Sequence, residues 1–479
     1  MNDEAPRRVH PGTVVIGLVK SAPSTLFALP AMLAFGGELG IGLVLLLTLA
    51  GVAALTFFAW LSWWQLRYRL TADAFLIESG VLHRSRRSIP LERVQDVSIE
   101  QKPLARLLGL ALVRIETGGG DKDEATLDSV TLAEARRLRL ALRRGPAVAA
   151  GEAGAAPESA ADAGRALFAM PLARVLLYGL FNFSLVWLAA IFALLQTVDD
   201  VLKFDWQALI GIAGREVRSH LTVTAGLSVL AVALVLGVAA GLLRTLAREY
   251  GFRLDAREGR FRRVRGLLTR SEVVIVRARV QLALIRRGAI SGRLGWRSLD
   301  FQTLGGSDDR SGRQEMAPFA REAEIERVID AAGLPRFEAD ALIPVSRGHI
   351  VRAALRHGLP VVLAFAIGGA FLPWLWLGLA LVPIPVGVAL LQRRRHRYGL
   401  RDTSVQVTRG VLSQREWIVP YDAIQTVSVR RSWLQRRLGL ATVAIDTAGA
   451  RGFHRPDIAD VAAPIAAELA PALLARALA

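Results

Sequence analysis

At 479 residues, 52% of them apolar and with positive mean hydropathy, the chain is long enough for several domains and too apolar for disorder, and it points toward a membrane. The absence of cysteine excludes disulfides, thiol nucleophiles and thiolate metal sites. Its net charge of +18 is almost all arginine, because lysine occurs only at positions 20, 102, 122 and 203, and it fits a biased composition and a topology role better than nucleic-acid binding.

Taken in order, Met1 to Pro11 is polar and gives no cleavable signal pattern. Residues 21–37 are uncharged but interrupted by Pro23 and Pro30, Glu38 suits a hairpin loop, and residues 39–64 form an uncharged run of 26. At about 1.5 Å per residue such a run crosses a hydrocarbon layer of ~30 Å. Residues 12–66 are therefore expected to form a first transmembrane hairpin, with Trp60, Trp63 and Trp64 as an interfacial belt beside Arg67 and Arg69. A β-rich unit follows over 67–144, then a linker at 145–164 too rich in Ala, Gly, Glu and Pro to pack. The pattern returns with Val175–Val198 and Leu221–Leu243 as the arms of a second hairpin (165–248) and a second unit over 249–335. Gly358–Leu391 has 34 residues without charge but contains Pro360, Pro373, Pro383 and Pro385, and is expected to hold two short spans of a third hairpin (345–396). The last unit occupies 397–479. Arginines follow each second arm, which is the cytoplasmic-side signature, so all three units and both termini are expected in the cytoplasm.

The three units are copies. Fourteen residues separate Gln95 from Gly109, Gln281 from Gly295 and Gln425 from Gly439, and eight more reach Thr117, Thr303 and Thr447. Gly80, Gly266 and Gly410 each stand 15 residues before the glutamine, so three offsets hold at once. Within the third copy, Val405, Val407, Val411, Trp417 and Val419 sit at alternating positions, and Gly410 supplies turn chemistry, which reads as antiparallel strands with one buried face. Ser432 is a suitable N-cap, with Leu434 and Leu438 four apart before Gly439, so a short helix interrupts the sheet; Pro103 opens the same helix in copy one. Amphipathic helices are expected near the end of each copy, at 131–144, 318–332 and 457–477.

These marks resemble the bacterial pleckstrin-homology-like (PH-like) domain of the YdbS/YdbT type of membrane protein. They are Tyr-x-Leu (Tyr68, Leu70; Tyr398, Leu400), Gly-Val-Leu, the Ile/Val-Pro stop before Val/Ile-Gln, Arg-x-Leu-Gly-Leu (Arg106 to Leu110; Arg436 to Leu440) and the terminal threonine. Copy two departs, with Val276 for proline, Ala278 for the acidic residue and Gly292 for arginine. The resemblance implies a membrane α + β protein: three transmembrane helical hairpins, about six spans, alternating with three PH-like β-barrel or sandwich domains each capped by a helix. It further implies a scaffold fold used for binding, a bacterial inner-membrane location, and a smaller single-PH-like-domain membrane protein as partner.

Catalytic chemistry finds no support in the residues. The seven histidines are scattered without His-x-x-x-His or His-Glu pairing, and Gly118-Gly119-Gly120 lacks the Gly-Lys-Ser/Thr of a phosphate loop, so no catalytic residue, metal site or cofactor is expected. The uncharged arms offer no charged pathway residue for a transporter, which remains the alternative reading. Candidate lipid- or partner-binding residues are the basic clusters Arg84, Arg86 and Arg87, Arg262 and Arg263, and Arg430, Arg431, Arg436 and Arg437. Near an anionic leaflet each contributes about 1 kcal/mol. The expected function is a non-enzymatic multi-pass scaffold binding partner proteins, the bilayer surface or further copies of itself, and no nucleic acid.

Overall fold

The computed structural model describes residues 5–19, 41–80, 84–117, 125–144, 165–182, 223–303, 313–448 and 455–478. Module 1 begins with β1 (Arg7–Arg8), ahead of helix α1 (Ile41–Gln65), and continues through β2 (Arg67–Leu70), β3 (Ala74–Ser79), β4 (Ser85–Pro90), β5 (Val94–Gln101), α2 (Pro103–Leu107), β6 (Leu110–Thr117), β7 (Ala125–Thr131) and α3 (Leu132–Arg144). Module 2 follows the same strand order with β8 (Arg165–Ala169), α4 (Leu172–Phe181), α5 (Val223–Glu249), β9 (Arg253–Arg257), β10 (Arg260–Arg265), β11 (Arg270–Val276), β12 (Val280–Arg287), β13 (Arg297–Thr303), β14 (Arg313–Ala320) and α6 (Glu322–Ala332), but has turns and no helix between β12 and β13. Module 3 has β15 (Ile343–Pro344), α7 (Gly348–Phe371), α8 (Pro383–Arg395), β16 (Arg397–Leu400), β17 (Ser404–Arg409), β18 (Gln414–Pro420), β19 (Ile424–Arg430), α9 (Trp433–Arg437), β20 (Leu440–Thr447), β21 (Ile458–Ala462) and α10 (Ala463–Leu478). Each module thus takes its first strand from ahead of the helices, and that strand pairs antiparallel with the strand after them: β1 with β2, β8 with β9, β15 with β16.

The repeated glycines and prolines have backbone reasons. Gly80, Gly266 and Gly410 adopt φ of 112°, 108° and 112°. At Gly266 and Gly410 a Cβ would collide with the carbonyl oxygen of Thr269 or Ser413 across the turn. Pro90 and Pro420 end β4 and β18 and lead into single 3-10 turns, Leu91–Arg93 and Tyr421–Ala423, at which the chain leaves one sheet for another.

Two parts of the expected fold class are overturned. No module closes into its own barrel: the described strands form four antiparallel sheets, and two of them are shared between modules. One seven-stranded sheet runs β7-β6-β5-β11-β10-β9-β8, and a second runs β14-β13-β12-β18-β17-β16-β15, so the second half of each module continues into the first half of the next. The physical reason is the corner after β4, β11 and β18, which turns the following strand away from its own hairpin and leaves its edge to be satisfied by a neighbour. The six expected spans are not found either. Among the described residues, two helices are long and apolar enough to cross a membrane, Gly348–Phe371 and Leu375–Arg395, with 11% and 6% of their apolar windows buried inside the protein. Helices α1 and α5 run to 25 and 27 residues, but the side chains of several of their residues lie outside the described set, as do residues 21–37 and 183–198 of the expected first arms.

Three cores follow from this threading. Module 1 packs Tyr68, Phe75, Ile77 and Ile89 against Val97, Ile99, Val113 and Ile115, under Leu138 and Leu142 of α3. Strand β12 serves two cores, because successive side chains point to opposite faces. Ala283 and Ile285 join the module 2 core with Phe261, Phe301 and Ile329, whereas Leu282 and Leu284 join the module 3 core with Val405, Trp417 and Val443.

Candidate functional site

The shared sheets are held by two junctions of one design. In the first, Ile99, Glu100 and Gln101 of β5 stand opposite Glu272, Ser271 and Arg270 of β11. In the second, Ile285, Arg286 and Arg287 of β12 stand opposite Glu416, Arg415 and Gln414 of β18. Counted from the repeat glutamines Gln95, Gln281 and Gln425, both junctions have one register: the fourth residue after a glutamine meets the ninth residue before the next. At that pair an apolar residue faces a glutamate in both. Ile99 and Ile285 are buried there, 4% and 3% exposed.

Arginines secure each glutamate. Glu272 accepts from Arg139 Nη1 at 2.7 Å and Arg262 Nε at 2.9 Å, and Glu416 lies 2.8 Å from Arg287 Nε. Burial alone would raise the Glu272 pKa; its two arginines outweigh that and hold it at about 2. At Glu416 burial prevails over Arg287 and Arg297, and the pKa is raised. A third contact crosses the first junction: Arg106 Nη1, from the Arg-x-Leu-Gly-Leu motif, donates to the Leu267 carbonyl in the next module's Gly-Leu-Leu turn at 2.7 Å.

The row of modules ends with two open edges. Among the described residues no strand pairs with the outer side of β4 or of β19. These edges hold most of the basic residues singled out in the sequence. Arg84, Arg86 and Arg87 lie on and just before β4, exposed, with Arg86 3.4 Å from Glu78. Arg430 closes β19; Arg431 follows it and donates from Nε to the Leu440 carbonyl at 3.2 Å. Arg436 and Arg437 are exposed on α9, and the Arg437 guanidinium sits 5.7 Å from the Trp433 ring. Val429, the counterpart of Ile99 and Ile285, is 45% exposed.

Arg263 is drawn inward instead, whereas the Arg262 side chain stays 43% exposed. Arg262 binds Glu272, and Arg263, 1% exposed, donates to the Glu315 carbonyl at 2.9 Å. Arg263 belongs to an ionic network around a cavity of about 420 Å³ between α4, α5 and the module 2 sheet. There Arg265 bridges Glu249 and Glu315 at 3.1 and 2.8 Å, and Arg286 meets Asp300 at 2.9 Å. Burial raises the Asp300 pKa; at Glu315 burial is outweighed by Arg265, Arg248 and Arg286, which lower it. This network anchors α5 to its module.

A comparable anchor in module 3 was not visible in the sequence. Asp460, fully buried, accepts at 2.7 Å from His349 Nδ1 and Arg352 Nη1 at the start of α7 and from Gln435 Nε2 on α9. Burial would raise its pKa, yet these hydrogen bonds hold it at about 2. Its positive φ of 60°, shared by Ser129 (64°) at the matching place in module 1, marks a strained bend in the last strand; only comparison of those two positions could have flagged it.

Comparison with known proteins agrees with the repeat. The family described as "Bacterial PH domain" matches three times, over residues 16–145, 176–333 and 358–477, each match joining a helical region to the β unit after it. Among curated proteins, the UPF0699 transmembrane protein YdbT of Bacillus subtilis (strain 168) is 23% identical over 330 residues, covering 63% of this chain and 64% of that protein. No solved structure matches. With three matches that together span most of its length, each laid over one β-sheet module and its preceding helices, the chain belongs to the bacterial PH domain family.

Proposed function

We propose that the chain is a non-enzymatic membrane scaffold whose PH-like modules bind partner proteins, with the basic ends also suited to an anionic membrane surface. One observation carries the reading: the modules already bind one another through sheet edges, and among the described residues two such edges, β4 and β19, have no strand paired to their outer side. The apolar helices Gly348–Phe371 and Leu375–Arg395 support a membrane setting, as does the transmembrane relative. Arg393, Arg394 and Arg395 in the last turn of α8 favour a cytoplasmic position for module 3. The buried charges of module 2 and module 3 serve attachment of helices to sheets, which suits transmission of position rather than turnover of a substrate.

Crosslinking in intact membranes, followed by purification of the full chain, tests this. The expected result is a discrete protein partner joined to the β-sheet modules. A chain that travels alone and, once reconstituted, carries a solute across the proteoliposome membrane overturns the reading.

A further inference from the structure

We propose that the outer edge of β19 is a docking site for an antiparallel strand from a second, different PH-like chain, entering in the register of the two internal junctions with a glutamate opposite Val429. The inference rests on the scaffold reading and specifies its partner.

Three features of the β19 end are found across the receiving halves of the two closed junctions, the apolar residue in both and each arginine in one of them. Val429 stands where Ile99 and Ile285 are covered by a neighbour, but is 45% exposed. Arg431 is the counterpart of Arg287, which holds Glu416 at 2.8 Å in the second junction. Arg436 is the counterpart of Arg106, which binds the turn carbonyl of Leu267 in the first, and Arg436 is exposed. The face of β19 carrying Thr426, Ser428 and Arg430 is polar, as is the matching face of β5 with Ser98 and Glu100, and that strand is nonetheless paired. The incoming strand therefore needs backbone pairing capacity, a glutamate at the place of Glu272 and Glu416, and a preceding tight turn whose carbonyl meets Arg436.

The chain's own open strand does not supply this. In β4 the place of Glu272 and Glu416 is taken by Arg86, with Arg84 two residues before it and Arg87 beside it. A second copy entering at β19 would set these arginines against Arg430 and Arg431, a like-charge contact that disfavours end-to-end self-assembly. The charge pattern selects a separate chain.

The test uses the full-length chain in lipid nanodiscs and, as probe, a labelled hairpin peptide with the sequence of residues 403–421, which contains β17 and β18 and is the strand pair that β12 already accepts. Binding is expected by fluorescence anisotropy, weakened about tenfold or more by Glu416→Arg in the peptide. The chain variant Arg430→Glu/Arg431→Glu, altered only at exposed side chains, is expected to reverse that preference. Because the chain has no cysteine, Val427→Cys in the chain and Ile418→Cys in the peptide report the register by a unique disulfide. Absence of binding, an unchanged preference in the charge variant, or no disulfide at that pair overturns the docking site. A disulfide between Val427→Cys of one full-length copy and Ser88→Cys of another makes the occupant a second copy and overturns the separate partner. If the peptide fails while membrane crosslinking still recovers a partner, the docking site falls and the scaffold stands; if both fail, both fall.

Discussion

Arg139, on the helix that closes module 1, donates to Glu272, on strand β11 of module 2, at 2.7 Å. The side chains are 9% and 15% exposed, so this ion pair works largely out of solvent and ties two modules whose strands pair over only three residues. Removing Arg139 leaves Glu272 with Arg262 alone. Arg139→Ala is expected to destabilise the first junction by about 2 kcal/mol, less than loss of every partner of a buried charge. Hydrogen exchange at β5 and β11 should accelerate while β17 and β18 stay protected. The pH sign follows from the depressed carboxyl: Glu272 titrates at about 2 when folded and 4.5 ordinarily, so its contribution is full above the ordinary value and is lost as pH falls toward 2. In Glu272→Gln that part of the acid dependence should vanish.

Strand β12 allows a sharper test of shared cores. Leu284 belongs by sequence to module 2 but lies 1% exposed in the module 3 core, opposite Trp417. Leu284→Ala is expected to cost about 2–5 kcal/mol and to loosen module 3. Ile285→Ala, one residue on, should loosen module 2, since Ile285 packs with Phe261 and Phe301. Exchange protection read separately in β17 and in β10 distinguishes the two; equal loss in both modules from both variants would contradict the divided strand.

The repeat was legible because its marks are backbone requirements. A glycine at φ of 108–112° cannot be replaced freely, so Gly80, Gly266 and Gly410 keep their spacing where side chains change; the proline is less strict, since Val276 takes its place in module 2 and still leads into a 3-10 turn, Arg277–Arg279. The sharing of sheets was not legible. Val97 and Ile99 alternate with Ser98 in the same way whether β5 ends a closed barrel or continues into β11. First strands of two residues, such as Arg7–Arg8 and Ile343–Pro344, are too short to carry a period. The partners of Arg262 and Arg263 lie far along the chain, the Glu272 carboxylate ten residues on and the Glu315 backbone carbonyl fifty-two, so spacing in the sequence does not reveal them. Arg84, Arg86 and Arg87, candidates for lipid or partner binding, lie exposed on and just before β4, with Arg86 at the place of Glu272.

The turn glycine of module 3 gives a local prediction. Gly410 combines positive φ with a carbonyl, that of Ser413, in the space a Cβ would fill. Gly410→Ala is expected to cost roughly 2 kcal/mol, more than an alanine costs at a relaxed position, because strain and contact act together. The loss should appear as a lower melting temperature for module 3, with Gly387→Ala, in helix α8 with open space around it, as the control that stays near wild type.

A buried histidine makes stability acid-sensitive where α7 and α8 meet module 3. His396 follows Arg395 directly and lies 2% exposed, with its ring 6.0 Å from that of His349. Burial, followed by Arg409 and His349, pushes its pKa from 6.5 down to about 3, so the folded protein holds it neutral where the unfolded chain takes up a proton. Stability from this group is present above the ordinary value and drains away as pH falls from 6.5 toward 3. Asp460 acts lower down, its contribution fading from 3.8 toward 2. The two windows separate the groups. In His396→Leu the decline between pH 6.5 and 4 should flatten, whereas Asp460→Asn should leave that limb intact and lower stability at neutral pH by weakening the bonds from His349, Arg352 and Gln435. Melting temperatures of the full chain from pH 4 to 7.5 measure both, and a His396→Leu profile parallel to wild type would contradict the assignment of the upper limb to that histidine.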